Sequence, residues 1–190
     1  MDGTPSARLL AQAPHRLMFF IGASNLLLAM AWWAMWLADA RWQLFGLRQP
    51  VPYAGWLHAF VMQYQVLPSF IFGFLLTVFP RWMGLPDLER WRYLPVGLGI
   101  FGGQLATLAG LFGFEPGIVV GYWMTLAGWL ACMATLAPLL KRERGTTWHA
   151  RACFLGLLLG LAGLLAWGGF LLGADARLAF ASIKLGTFGL

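Results

Sequence analysis

Five side chains in one strongly apolar segment lie at the spacing of a single helical face, and two of them are metal-ligand types. His58, Met62, Gln65, Ser69 and Phe72 follow one another at intervals that return to the same side of an α-helix. Imidazole and thioether groups ligate transition metals and serve as axial ligands of haem iron. One turn apart, they cannot occupy both faces of one haem, so at most one of them ligates it. The pattern predicts His58 as a metal ligand, with His58, Met62 and Gln65 as cofactor-binding candidates.

The chain that carries this segment has the composition of a membrane protein. Of its 190 residues, 60% are hydrophobic and only 11% are charged, and the mean hydropathy is +0.71. Soluble domains carry about 25% charged residues. We therefore expect an all-α, polytopic transmembrane helical bundle in a lipid bilayer. The net charge of +6 does not indicate a nucleic-acid partner, because the basic residues lie in short connections between apolar runs.

Six apolar runs predict the helices. A run needs about 20 residues to cross the hydrocarbon core of a bilayer, and the first five are long enough. The sixth is too short at about 1.5 Å per residue, so we expect it to be truncated here and completed by residues outside this sequence. We assign residues 1–190 to a single transmembrane domain. The predicted helices are 17–38, 56–79, 94–114, 117–140, 152–174 and 178–190 (incomplete).

Basic residues are divided unequally between the two ends of the predicted bundle. Most lie in the N-terminal tail and in the second and fourth connections, whereas the first, third and fifth connections carry few. Because Lys and Arg are enriched on the cytoplasmic side of membranes, this asymmetry predicts a cytoplasmic N-terminus. The residues of the second and fourth connections are Arg81, Arg90, Arg92, Lys141, Arg142, Arg144 and Arg151.

Three further ionisable side chains have two interpretations each. Lys184, inside the sixth run, either extends to the interface or places a positive charge beside a cofactor. His15 and His149 lie among basic residues near the N-terminus and in the fourth connection. They are either a second site or solvated histidines at helix ends.

Proline and glycine predict how the helices pack. Pro68 lacks an N–H, so a backbone carbonyl in the second helix must find a donor on a neighbouring helix or a water molecule. Gly99 and Gly103 form a small-xxx-small pair, and so do Gly117 and Gly121. Such pairs predict close contact between helix backbones.

Motifs in the first 84 residues resemble those of the NnrS family. The sequence G-F-L-L-T stands at Gly73–Thr77, and P-x-W-x-G stands at Pro80–Gly84. Residues 14–20 are similar to the family's opening P-[FHY]-R-x-[FM]-F. The family comprises bacterial inner-membrane proteins linked to nitric-oxide stress and denitrification and reported to contain haem and copper. The resemblance implies a multi-pass inner-membrane protein, haem and/or copper as cofactors, and redox or nitric-oxide-related membrane partners.

The chain departs from the family pattern W-H-x-H-E-M in the second helix. His58 falls on the first histidine and Met62 keeps the methionine, but Phe60 and Val61 replace the second histidine and the glutamate. If the family's haem or copper lies on this helix, His58 is its only imidazole. Family members are about twice as long, with around twelve helices, so this sequence resembles an N-terminal half. The alternative functions are a metal-free transport or binding protein and an assembly protein, and no reaction is assigned.

Overall fold

The computed structural model describes residues 7–141 and 148–189, and this part of the chain is a bundle of helices. A short 3₁₀ helix, Ala7–Gln12, precedes six α-helices, and no strand occurs in the described residues. Five of these helices are long and apolar enough to cross a membrane. The predicted all-α transmembrane bundle is therefore confirmed, whereas Arg142 and Arg144 of the charge asymmetry lie outside the described residues. The helices are α1 Pro14–Trp42, α2 Ala54–Trp82, α3 Arg90–Leu111, α4 Pro116–Leu140, α5 Trp148–Leu171 and α6 Arg177–Gly189.

Glycine and proline mark the ends of these helices. Gly84, Gly113 and Gly173 follow α2, α3 and α5 with φ angles of +65°, +110° and +89°. A residue without Cβ adopts this left-handed conformation without strain, which is how many helices end. Pro14 and Pro116 stand in the first turn of α1 and α4, where a missing N–H removes no helical hydrogen bond.

Helices α3 and α4 form the closest-packed hairpin, and glycines make the close approach possible. A Cβ atom added to Gly99 would lie 2.5 Å from the backbone nitrogen of Gly128, and one added to Gly103 would lie 3.0 Å from the carbonyl oxygen of Gly121. Towards the connection, a Cβ on Gly117 would lie 2.6 Å from the nitrogen of Gly110. The predicted pairs therefore do bring two helix backbones together.

Helix α2 lies among the other helices and is the most buried of the candidate spans in the described residues. Its Phe60, Tyr64 and Phe72 are inaccessible or nearly so. By contrast, Leu27 of α1 and Leu98 of α3 are among the large apolar side chains exposed on the outside of the bundle. Exposed apolar surface of this kind suits contact with lipid. Most side chains of α2 therefore meet a neighbouring helix, although Leu67 and Phe74 are exposed on the outside of the bundle.

A π-helical turn interrupts α2 at Met62–Val66. The Leu67 N–H donates to the carbonyl of Met62, five residues earlier. By contrast, the Met62 N–H donates to the carbonyl of His58, four residues earlier. The wider turn contains an extra residue, so side chains after Met62 are rotated relative to a straight α-helix. The single helical face predicted for His58, Met62, Gln65, Ser69 and Phe72 required constant α-helical spacing. That spacing does not hold through this turn.

Candidate functional site

The His58 side chain lies between α2 and α1, flat against an aromatic ring. Its imidazole stacks on the Trp33 indole, with ring centroids 4.3 Å apart and planes 13° apart. The Nδ1 atom is buried and has no hydrogen-bond partner among the described residues. Met62 follows one α-helical turn later and is half-buried. The structure thus keeps His58 and Met62 one turn apart on α2 and leaves an imidazole nitrogen without a hydrogen-bond partner among the described residues.

The donor set around His58 limits which group fits there. No cluster of three or more His, Cys, Asp or Glu side chains suitable for a metal occurs in the described residues. An imidazole with a thioether one turn away is a small, fairly soft donor pair, which suits copper in its reduced state. The Nδ1 atom is enclosed and has no exposed surface, so a group as large as a porphyrin cannot reach it. His58 and Met62 are therefore donor types that copper accepts, whereas the enclosed Nδ1 leaves no opening for a porphyrin at that atom.

Gln65 lies within the π turn and faces α3 and α4 instead. Its Nε2 atom donates to the hydroxyl oxygens of Thr107 (3.0 Å) and Thr125 (2.9 Å). Those hydroxyls donate in turn to the carbonyls of Gly103 (2.8 Å) and Gly121 (2.7 Å). Gln65 is seven residues from His58, or about 10 Å along the helix axis. The structure therefore does not bring Gln65 to the ring of His58.

The carbonyl freed by Pro68 has a partner on α4. Pro68 has no N–H for the carbonyl of Tyr64, four residues earlier, and the indole Nε1–H of Trp129 donates to that oxygen at 3.0 Å. A neighbouring helix thus satisfies the freed carbonyl, and the prediction is confirmed. The next carbonyl, that of Gln65, accepts from the Ser69 hydroxyl at 2.7 Å.

Two more side chains of the π turn contact α6. The Tyr64 hydroxyl donates to the carbonyl of Ser182 at 2.6 Å, and the Gln63 amide donates to the hydroxyl of Thr187 at 2.7 Å. A Cβ atom on Gly163 of α5 would collide with the Tyr64 hydroxyl. The π turn is therefore the place where polar groups of α2 meet α3, α4 and α6. The sequence signal that could have indicated this region is the set of polar residues within the apolar runs of α1 and α3, namely Asn25, Gln104 and Thr107.

The two residues that depart from the family pattern are core residues. Phe60 is 1% exposed, and its ring stacks on that of Trp167 in α5, with centroids 4.9 Å apart. Val61 is 2% exposed. Position 60 therefore faces α5, whereas His58 faces α1.

The other ionisable candidates lie apart from His58. Lys184 is exposed on α6, and His149 is exposed at the start of α5. The His149 ring meets Trp82 edge-on, with centroids 4.5 Å apart. The Nδ1 atom of His15 lies 3.4 Å from the Thr77 hydroxyl, so two of the motifs noted in the sequence touch here. An exposed Lys184 is the placement that extension to the interface requires.

One family model matches nearly the whole chain. Residues 9–190 match the model described as NnrS protein. The matched interval contains all six helices of the described residues. No curated protein and no solved structure matches the chain.

Proposed function

The chain belongs to the NnrS family, and on that premise we propose that it is a copper-binding or haem-binding membrane protein with His58 as a metal ligand. We place it in nitric-oxide tolerance or denitrification, in the bacterial inner membrane. One observation carries the proposal. The buried Nδ1 of His58 has no partner among the described residues, although the ring is held in place by Trp33. A buried imidazole nitrogen with no partner is costly unless something binds it.

Copper is the group that these residues favour. His58 supplies a nitrogen and Met62, one α-helical turn away, supplies a thioether, a combination that suits the reduced ion. Bound copper supplies one-electron redox chemistry. Haem remains the family's other reported cofactor, and its ligation by His58 would use the ring's other nitrogen.

The chain's own contribution is to position the imidazole and to keep water away. The indole of Trp33 covers one face of the His58 ring, which restricts its rotation. Leu57 and Val61, the neighbours of His58 on α2, are 0% and 2% exposed. A ligand in apolar surroundings has fewer competing water molecules, and such a shell influences the redox potential of a bound metal.

The proposed orientation follows from the basic residues. Arg81, Arg90 and Arg92 lie beside the same end of the bundle as the N-terminus. We place this end in the cytoplasm, so that His58 lies in the periplasmic half of the membrane. A reporter fused to the N-terminus is expected to give a cytoplasmic signal, and a periplasmic signal would reverse this orientation.

The decisive experiment measures metal and haem in the purified protein. The full-length protein is expressed with copper and haem available, purified in detergent, and examined by metal analysis and optical spectroscopy. We expect about one copper ion or haem per chain, lost in His58→Ala and weakened in Met62→Leu. His149→Ala is the matched control, because His149 also contacts a tryptophan but is exposed. Equal metal content in both histidine variants would exclude His58 as a ligand.

The rival function is a metal-free binding or transport protein, and an apolar groove favours it. An open groove of about 670 Å³ lies between α1, α2, α5 and the end of α6, and Phe19, Phe70, Phe74 and Leu157 are among its lining residues. Such a lining suits an apolar molecule. A metal-free, colourless protein that binds a fluorescent fatty acid would favour this function. If His58→Ala changes only stability or partner binding, an assembly role is favoured instead.

A further inference from the structure

Three fully buried amide side chains inside the bundle carry polar atoms that have no hydrogen-bond partner among the described residues. These atoms are Oδ1 of Asn25, Oε1 of Gln65, and both Oε1 and Nε2 of Gln104. All three residues are 0% exposed. A fourth amide, Gln63, also has an unpaired oxygen, but it is only partly buried and its amide donates to Thr187 of α6. A buried polar group without a partner costs free energy, and the cost is greater inside a membrane because lipid supplies no hydrogen bonds. The three amides therefore need a common explanation.

The hydrogen bonds of Gln65 determine which of its atoms is left unpaired. The hydroxyl protons of Thr107 and Thr125 are donated to backbone carbonyls in their own helices. Both threonine oxygens can then only accept, so the group between them must be the NH₂ of Gln65. Both amide protons are used, and Oε1 remains as an acceptor that needs a donor.

Asn25 and Gln104 lie at the same level in the bundle. Tyr93, near the start of α3, donates to a carbonyl just before α1, so the two helices run side by side in the same direction. One turn along α3, a Cβ atom on Gly97 would lie 3.0 Å from the side chain of Ile21. The same Cβ would lie 3.0 Å from the side chain of Leu17, so Gly97 is level with the turn between Leu17 and Ile21. Gln104 follows Gly97 by about 10.5 Å along the axis, and Asn25 follows Leu17 by about 12 Å and Ile21 by about 6 Å. Gln104 is therefore level with the part of α1 that carries Asn25.

Asn25 also contacts the backbone of Gln65 on α2. Its Nδ2 atom lies 3.5 Å from the carbonyl oxygen of Gln65. On α3, Gln104 stands one turn before Thr107, which bonds the Gln65 amide. The amides of α1, α2 and α3 are thus placed near one another beside the π turn. We call these three residues, Asn25, Gln65 and Gln104, the amide layer.

We propose that the amide layer is a binding site for internal water. One water molecule can donate to Oε1 of Gln65 and Oδ1 of Asn25 and accept from Nε2 of Gln104, and a second can donate to Oε1 of Gln104. Buried water typically makes two to four such bonds to otherwise unpaired groups. A metal cation would satisfy the oxygens but not the NH₂ of Gln104, and the layer contains no charged side chain to bind an anion. The occupant is therefore a small neutral molecule that both donates and accepts hydrogen bonds.

A density map of the unmodified protein tests the site directly. At a resolution near 2 Å, we expect a solvent peak within about 3.2 Å of at least two of the unpaired atoms. Direct contact between the amides, with no peak among them, would overturn the proposal. This measurement does not depend on His58, so it fails or succeeds separately from the proposed metal site.

Thermal unfolding of variants gives an independent test. Gln104→Met and Asn25→Leu each remove polar atoms while keeping most of the side-chain volume, and each should lower the Tm by several degrees. If one water molecule joins the two residues, the double variant should lose less than the sum of the single losses. Leu105→Met is the control, because Leu105 is adjacent to Gln104 and 45% exposed, and it should leave the Tm almost unchanged. Additive losses would show that Asn25 and Gln104 share no water molecule and would overturn the proposal.

Discussion

Trp129→Phe is expected to destabilise the bundle by leaving a backbone carbonyl of the π turn without a donor. Trp129 and Tyr64 are both 0% exposed, and the indole N–H of Trp129 donates to the Tyr64 carbonyl at 3.0 Å. Pro68 cannot supply the helical N–H that this carbonyl would otherwise receive. Phenylalanine keeps an aromatic ring at position 129 but has no donor. The substitution therefore removes the hydrogen bond and leaves most of the packing.

The expected loss is about 2 to 3 kcal/mol of unfolding free energy. Hydrogen bonds between helices in a membrane contribute about 0.6 kcal/mol on average and at most about 1.7. An unpaired buried acceptor costs about 1 to 3 kcal/mol, and lipid cannot replace the lost donor. We therefore assign about 1.5 kcal/mol to the carbonyl. The smaller ring leaves a gap that costs about 1 kcal/mol more.

The assay is a double-mutant cycle with Pro68→Ala, measured by circular dichroism during reversible unfolding in mixed micelles. Alanine at position 68 restores an N–H four residues after Tyr64 and so offers its carbonyl a partner within α2. Trp129→Phe should then cost only about 1 kcal/mol, the part due to the smaller ring. Losses in the two backgrounds that agree within about 0.4 kcal/mol would refute the pairing of Trp129 with the carbonyl freed by Pro68.

Three further predictions concern helix packing, the His58 ring and the first connection. Gly99→Ala should lower the free energy of unfolding by about 2 to 3 kcal/mol, because its Cβ atom would meet the backbone of α4. Gly102→Ala is the control, since its Cβ atom meets only a flexible methionine side chain, and it should cost less than about 1 kcal/mol. Equal losses in the two variants would contradict the close contact between α3 and α4. Trp33→Leu removes the ring that stacks on His58, and such a ring pair contributes about 0.5 to 1.5 kcal/mol. Copper binding, measured by competition with a chelator, should weaken by up to about tenfold. An unchanged affinity would show that Trp33 does not position the His58 ring. Asp39→Ala removes the acceptor of three amides in the following loop, at 2.6, 3.0 and 2.7 Å. Their hydrogen exchange should accelerate at least tenfold, since such bonds contribute about 1.5 to 3 kcal/mol, and unchanged exchange would show that the loop does not depend on this carboxylate.

The helices were predictable because lipid imposes a simple rule on the sequence. A segment without water must satisfy its own backbone, so an apolar run of sufficient length forms a helix. Pro68 has no N–H, so it was predictable, for the same reason, that a backbone carbonyl of α2 needs a donor from elsewhere. That the donor is Trp129 of α4 was not predictable. The π turn also escaped prediction. The predicted polar face from His58 to Phe72 required constant α-helical spacing, whereas the wider turn at Met62–Val66 changes the direction of the residues that follow.

The candidate site was predictable only in part. His58 and Met62 were identified by residue type and spacing, and they remain one α-helical turn apart. Their role as metal ligands stays a prediction. Gln65 was assigned to the same face, but its amide is bonded to Thr107 and Thr125. No local pattern indicates those partners, because they lie 42 and 60 residues away in the sequence.

The sequence by itself determined which segments are helical, where glycines allow close packing, and which residue types have the chemistry to bind a metal. These properties depend on local composition and on the solvent that surrounds each segment. Tertiary structure alone decided that His58 stacks on Trp33 and that Tyr64 bonds to Ser182, 118 residues later. The physical reason is that lipid does not distinguish between the faces of an apolar helix, so contact with lipid does not determine how the helix is rotated about its axis. Rotation and neighbours are therefore selected by packing and by the need to pair every buried polar group.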